Sequence, residues 1–170
     1  MTDLKILRPE TEVDLADIQT LCWDYREFLL SLGGHDAEVA TMFYPVDAYR
    51  EVVETLAARH APPEGDLFLA RLAGAPVGCG MFHTLRPGAA EIKRVFVRPQ
   101  ARGHGAGRRL MDHLINACRA ARFERIFLDT ARPLSTAIAL YTALGFKERG
   151  PYYDVPEAAL PVLRFFEKEL

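Results

Sequence analysis

The chain is short of several things, and each shortage argues against a class of function. Its three cysteines, Cys22, Cys79 and Cys118, are odd in number and widely spaced, with no CxxC pair. Neither a disulfide framework nor a cysteine zinc site fits that pattern; reduced thiols in a cytoplasmic protein do. His35, His60, His83, His104 and His113 show no metal-ligand spacing either, so no metal is expected. No apolar run approaches the roughly 20 residues of a membrane span, and the N-terminus lacks the charged and apolar regions of a signal peptide. A net charge of −2 argues against a general nucleic-acid surface and leaves only a local basic cluster from Arg94 to Arg109. Repeats and low-complexity segments are missing too, so nothing divides the chain.

What is present has the make-up of one globular domain. The 170 residues, 49% hydrophobic and 26% charged, suffice for a single sizeable core, and residues 1–170 are read as one unit. Residues 4–8 read as a short strand stopped by Pro9. From Thr11 onward Leu15, Ile18, Leu21, Cys22, Tyr25, Leu29 and Leu32 recur at helical spacing, up to Gly33-Gly34. Residues 33–46 read as a loop, and Tyr49, Val52, Val53 and Leu56 as a second helix ending near Pro62-Pro63. Residues 66–72 and 76–83, joined by Ala73-Gly74-Ala75, make a hairpin. Residues 91–97 follow as a strand, and 125–129, separated from it by a helix, form its parallel crossover partner. A helix bearing Ala137, Ile138, Tyr141 and Leu144 stops at Gly145. Residues 146–149 and 162–167 are the last strands, around a Pro- and Tyr-rich loop at 150–161.

The stretch from Arg98 to Leu110, RPQARGHGAGRRL, joins the strand at 91–97 to a helix. Glycines at 103, 105 and 107 let backbone approach a ligand closely. The N–H groups of this turn and of the first helical turn have no intrahelical partners, so they form an anion cradle. Arg102, Arg108 and Arg109 add positive charge. A Walker loop needs Lys-Ser/Thr after its last glycine, where Arg108-Arg109 stands. A dinucleotide fingerprint needs a third glycine at 108, again Arg. What matches is Arg102-x-x-Gly105-x-Gly107, preceded by Val-x-Pro at 97–99. On this motif the chain resembles the GNAT superfamily of N-acetyltransferases, whose Gln/Arg-x-x-Gly-x-Gly/Ala signature binds the pyrophosphate of acetyl-CoA. The resemblance covers nearly the whole chain, with residues 91–154 carrying the specific motifs. It implies an α/β fold with a mixed, centrally splayed sheet, helices on both faces and the order βααβββαβαβ.

Moving an acetyl group from a thioester to an amine requires a held thioester, a polarised carbonyl, a deprotonated amine and a stabilised leaving thiolate. The resemblance implies candidates for these tasks. Backbone groups of Val95, Phe96 and Val97 would pair with the amide-rich arm of acetyl-CoA, while their side chains read as core. Arg102, Gly103, His104, Gly105, Ala106, Gly107 and Arg108 would cradle the pyrophosphate. Tyr141 stands in AIALYTALGF at 137–146, similar to the family's Ala-Ile-x-Leu-Tyr-x-x-x-Gly-Phe segment, whose tyrosine points at the cofactor sulfur. A phenol with a pKa near ~10 is protonated at neutral pH and can donate to a thiolate. Two carboxylates compete as the base. Glu91 stands where histone-acetyltransferase-like members place theirs; Asp129 stands where some ribosomal-protein acetyltransferases carry a glutamate. Lys93, two residues from Glu91 on the same strand face, offers Glu91 a structural ion pair instead. Where family members often have Asn this chain has Leu134, and Ser135 and Thr136 read as helix caps.

The expected function is therefore acetyl-CoA-dependent N-acetyl transfer to a primary amine by direct attack in a ternary complex. Two alternatives stand beside it: a catalytically silent CoA-binding protein of the same fold, and a protein or peptide N-acetyltransferase. Loops 33–46 and 150–161 are expected to wall the acceptor with Phe43, Tyr44, Tyr152 and Tyr153, and with few carboxylates (Asp36, Glu38, Asp154, Glu157). That lining suits a small amine or amino-acid-like acceptor better than a polyamine. A homodimer, common in the family, is left open by the residues.

Overall fold

The computed structural model describes residues 3–170. Strand β1 (Leu4–Leu7) is followed by four helices, α1 (Glu12–Leu30), α2 (Gly34–Phe43), α3 (Val46–Glu54) and the single turn α4 (Leu56–Arg59). Then come β2 (Gly65–Leu72), β3 (Ala75–Arg86), β4 (Ala89–Val97), α5 (Ala106–Ala120), β5 (Arg125–Ala131), α6 (Ser135–Ala143), β6 (Lys147–Arg149) and β7 (Leu163–Glu169). All seven strands, one more than the order βααβββαβαβ contains because β6 and β7 both follow α6, join one sheet in the order β1-β2-β3-β4-β5-β7-β6, antiparallel except where β4 meets β5.

Each sheet face has its own core. On one face α5 lays Leu110, Met111, Leu114 and Cys118 over Phe68, Phe82, Ile92, Ile126 and Phe166. On the other, α1 and α3 lay Ile18, Leu21, Tyr49 and Val53 over Leu67, Leu69, Met81 and Phe96. Helix α1 begins with a capping box: the Thr11 hydroxyl accepts from Asp14 N–H at 3.1 Å, and the Asp14 carboxylate accepts from Thr11 N–H at 3.3 Å. Asp14 and Asp17 then clasp Arg71 on β2 at 2.8 and 2.6 Å, fixing the helix on the sheet.

The expected loop at 33–46 is corrected: most of it is α2. Gly33, at φ +73°, turns the chain from α1 straight into the new helix, whose Val39 and Ala40 are buried. Val39 packs with Ala159 and Val162 near the C-terminus. Ten residues make a marginal helix alone, so those distant contacts hold it. The expected second helix also divides, at Thr55, into α3 and α4.

Two irregularities in β4 position everything that follows. Strands β4 and β5 pair only at Ala89–Arg125, Ala90–Ile126 and Glu91–Phe127, then part. On its other edge β4 bulges: Lys93 opposes Met81 and Phe96 opposes Cys79, so Arg94 and Val95 together face Gly80. Arg94 takes φ +52°. Alternation is thereby broken. Ile92 and Val95 lie on the α5 side and Phe96 on the α1 side, while Lys93 and Arg94 both border the space under α1–α3.

Candidate active site

Beyond Glu91 the β5-facing edge of β4 has no strand partner. The parting strands enclose a cleft of about 40 Å³ lined by Val95, Leu128, Asp129, Leu134 and Tyr141 among others. Its free backbone groups are of the kind an amide-bearing chain pairs with. The Phe96 ring is packed near Tyr25 and Phe28 (5.9 Å to each), and Val95 and Val97 pack against the α5 core, so these side chains serve packing. Tyr141, on α6, sits against Phe146 and Phe166 and reaches the cleft. Burial, and then the charge of Asp129, raise its pKa well above the usual phenol value, so it is protonated throughout the neutral range. Leu134 holds the N-cap position of α6 with no side-chain cap; Ser135 and Thr136, expected as caps, do not act as such.

At the cleft's end β4 runs into the glycine turn. Gly103 (φ +83°) and Gly105 (φ +80°) are left-handed, and Gly105 is the N-cap of α5. Arg109 N–H donates to Gly105 O at 3.0 Å, so the N–H groups of Ala106, Gly107 and Arg108 precede the helical ladder. A Cβ on Gly107 would lie 3.5 Å from Leu140 Cδ2 and 3.9 Å from Val97 Cγ2, between α6 and the end of β4. This cradle fits the diphosphate of a CoA thioester: free N–H groups, a helix dipole and no side chain in the way. The basic residues around it divide. Arg102 lies over the Phe28 ring at 4.9 Å with its Nε on Val97 O, and Arg108 pairs with Asp112 at 3.2 Å. His104 folds its Nδ1 to 3.2 Å from the carbonyls of Ala101 and Arg102. Arg109 is corrected: its guanidinium donates to Leu4 O at 2.5 Å and tethers β1.

On the α1 side a cavity of about 220 Å³ lies under α1, α2 and α3. Phe43, Tyr44 and Asp36 line it as expected, together with Lys93, Arg94 and Asp129. Tyr152 and Tyr153 are not in its wall, which corrects the expectation for that loop. They buttress the two carboxylates instead: Tyr152 OH donates to Glu91 at 2.8 Å and Tyr153 OH to Asp129 at 2.5 Å.

The two carboxylates are placed very differently. Glu91 is 6% exposed and borders neither the cavity nor the cleft. Its oxygens are taken by His83 at 3.1 Å, Lys93 at 3.4 Å and Tyr152. Burial works to raise its pKa, but His83, Lys93 and Tyr152 together outweigh that and hold it at about 2. Asp129 borders both cavity and cleft, with Lys93 Nζ 3.9 Å away. Lys93 therefore stands between the two, and although burial opposes its charge, Asp129, Tyr44 and Glu91 keep it a cation.

The profile of the Acetyltransferase (GNAT) family matches residues 21–146. The chain belongs to the GNAT family. Among its GNAT relatives, an IAA acetyltransferase of Azospirillum brasilense is 40% identical over 111 residues, covering 65% of this chain and 71% of its own. An amino-acid acetyltransferase of Mycobacterium tuberculosis is 35% identical over 85 residues, covering 50% of this chain and 44% of its own. The PaiA N-acetyltransferase of Thermoplasma acidophilum, solved with coenzyme A, superposes with a TM-score of 0.71 at 13% identity, over 99% of each chain. This chain is thus a GNAT N-acetyltransferase with acetyl-CoA as its acetyl donor. Among the described residues no helix is long and apolar enough to cross a membrane.

Sequence reasoning gave Arg94 no place in the cavity wall and Tyr152 and Tyr153 no part as buttresses. For Arg94 a signal existed. Two adjacent cations, Lys93-Arg94, stand between the apolar Ile92 and Val95-Phe96-Val97 of one strand, which is what a bulge turning both to one face allows.

Proposed function

We propose that this GNAT enzyme acetylates the primary amine of a small, amino-acid-like acceptor by direct attack within a ternary complex. The observation that carries the proposal is the meeting of cavity and cleft at Asp129, which borders both. A donor thioester laid along the free edge of β4, with its diphosphate in the 102–108 turn, would bring its acetyl group to the same residue that faces the acceptor.

In this reading the chain's groups divide the work. The glycine turn, through Gly103 to Arg108 with Arg102, holds the diphosphate, and the backbone of Val95, Phe96 and Val97 holds and polarises the thioester arm. Asp129 orients the ammonium and takes its first proton, freeing the lone pair that forms the N–C bond; as the C–S bond breaks Tyr141 gives its proton to the departing thiolate, and the second nitrogen proton replaces the one Tyr141 has lost. Glu91 keeps Lys93, His83 and Tyr152 in position. The apolar wall of Leu29, Val39, Phe43 and Val52, with few carboxylates, favours one small amine over a polyamine. A volume below the roughly 300–1,000 Å³ of drug-sized sites points the same way.

Release of free thiol from acetyl-CoA across a panel of amino acids, simple amines and peptides, with mass spectrometry of the products, tests the proposal. Turnover on small amines is expected. Turnover only on peptides would move the acceptor to a protein N-terminus, and tight CoA binding without turnover on any amine would make the chain a binding protein.

A further inference from the structure

The transfer chemistry leaves one cavity cation unused, Arg94. It sits at the β4 bulge in a left-handed conformation that costs an L-residue about 1–2 kcal/mol and that glycine would adopt freely. The bulge sets it beside Lys93 at the cavity wall, yet the two are not equivalent. Lys93 is matched by Glu91 and Asp129. Arg94 takes part in none of the ion pairs among the described residues, and its Nε is buried without a hydrogen-bond partner. Its neighbours are the Tyr49 ring, 5.6 Å from the guanidinium carbon, and the Met81 sulfur, 3.9 Å from Nη1. Neither supplies an anion. A desolvated guanidinium with no counter-charge is stabilised by any carboxylate that enters the cavity, and its planar fork suits that group.

We propose that Arg94 is the carboxylate receptor of the acceptor cavity, so that the acceptor is a zwitterion: carboxylate on Arg94, amine towards Asp129, apolar body against Leu29, Val39 and Phe43. This rests on the cavity being the acceptor site. The two charged ends of such a molecule would be read by two residues that face the same space from β4 and β5.

Paired compounds that differ only in the carboxylate test it. Phenylalanine against phenethylamine, and leucine against isoamylamine, serve for turnover. N-acetylphenylalanine against N-acetylphenethylamine serves for calorimetric binding to the CoA complex. The wild-type enzyme is expected to favour the carboxylated member by about 10- to 100-fold in kcat/KM and in affinity. Arg94→Met should bring that ratio close to one, and Arg94→Lys should keep part of it. Equal handling of the pairs by the wild type, or an undiminished ratio in Arg94→Met, overturns the proposal. Tm and the urea midpoint report whether Arg94→Met is folded; if it is not, the wild-type ratio and Arg94→Lys decide. Arg94-dependent binding of N-acetylphenylalanine without turnover of any amine would sink the proposed reaction and leave the receptor standing. Turnover without carboxylate preference would do the reverse.

Discussion

The two sides of β4 are built by different means. The side proposed to hold the donor is contiguous in the chain: β4, the glycine turn, α5, β5 and α6 follow one another from Ala89 to Ala143. Its shape is set by backbone, through the parting of β4 from β5 and the left-handed Gly103 and Gly105. The proposed acceptor side is gathered from α1, α2, α3, the middle of β4, the C-terminal end of β5, and Val162-Leu163. Its character is set by side chains. A site made of backbone accepts one ligand whatever the surrounding residues are, whereas a site made of side chains changes ligand by substitution. The donor side should therefore be broken by adding a Cβ and the acceptor side by removing a charge.

The largest effect is expected at Gly107. The positions around a Cβ there, 3.5 Å to Leu140 and 3.9 Å to Val97, are ordinary contacts, so the fold survives while the γ-methyls of valine crowd the space between α6 and the end of β4, beside the free N–H groups of the turn. Gly107→Val should weaken CoA binding by about 100-fold or more, roughly 3 kcal/mol. Calorimetry on a variant with an unchanged Tm checks this. Retained affinity would mean that the diphosphate lies elsewhere.

Next in size is the pair of carboxylates. Asp129→Asn should cut kcat by about 100-fold, the lower end of what a positioned acid or base contributes, with CoA affinity unchanged. Glu91→Gln should cost less, because Glu91 borders neither cavity nor cleft. If steady-state kinetics rank the two the other way, with both variants folded and binding CoA, the proton passes through Glu91 and its Tyr152–His83 network.

Much of the donor side was legible because its signals are local. A glycine turn after an apolar strand, and a tyrosine inside a short helical pattern, are read from neighbouring residues, and Gly103 and Gly105 do take the positive φ that made them informative. The cavity was legible only in part. Phe43, Tyr44 and Asp36 were named for its wall, but on a supposed loop; what makes that segment a helix is Val39 against Val162 and His35 Nε2 against Ala158 O at 2.6 Å, 123 residues away. The same holds for Tyr152 and Tyr153, whose partners on β4 and β5 no spacing rule could supply. Arg109 misled for a related reason: its charge belongs to the turn in sequence, but its hydrogen bond reaches across 105 residues to β1.

Glu91 can be separated from Asp129 by stability as well as rate. Its carboxyl sits at about 2 in the folded state against about 4.3 in an unfolded chain, so ionisation favours folding. That contribution is fully present above pH 4.3 and is lost as pH falls through the folded value. It is on the order of 2 kcal/mol, allowing for partial solvent screening. Urea midpoints of the wild type should therefore drop between pH 5 and about pH 2, and Glu91→Gln should flatten that part of the curve. An unaltered acid limb in the variant would remove the structural role given to Glu91.

Tyr141→Phe comes below these. A thiolate leaves at neutral pH with little help, so loss of the phenolic proton should lower kcat by about tenfold where chemistry limits the rate. The ring still packs on Phe146 and Phe166, so Tm should hardly change. Full turnover in this variant would make Tyr141 a packing residue alone.

The smallest effects fall among the arginines of the turn, and there the comparison can be drawn with three substitutions. Arg102 and Arg108 lie at the cradle with solvent around them, so each Ala variant should weaken CoA by a few-fold and pantetheine not at all, the loss growing smaller in high salt. Arg109 has left the turn for Leu4 O. Arg109→Ala should leave the ratio of CoA to pantetheine affinity unaltered and lower stability by about 1 kcal/mol, the cost of a hydrogen bond lost from a part-buried carbonyl. Calorimetry with both ligands, set beside urea unfolding, distinguishes the two kinds of arginine. Were Arg109→Ala to lose CoA selectively and keep its stability, the guanidinium would have to let go of β1 when the diphosphate arrives, and the first strand would then be part of the donor site.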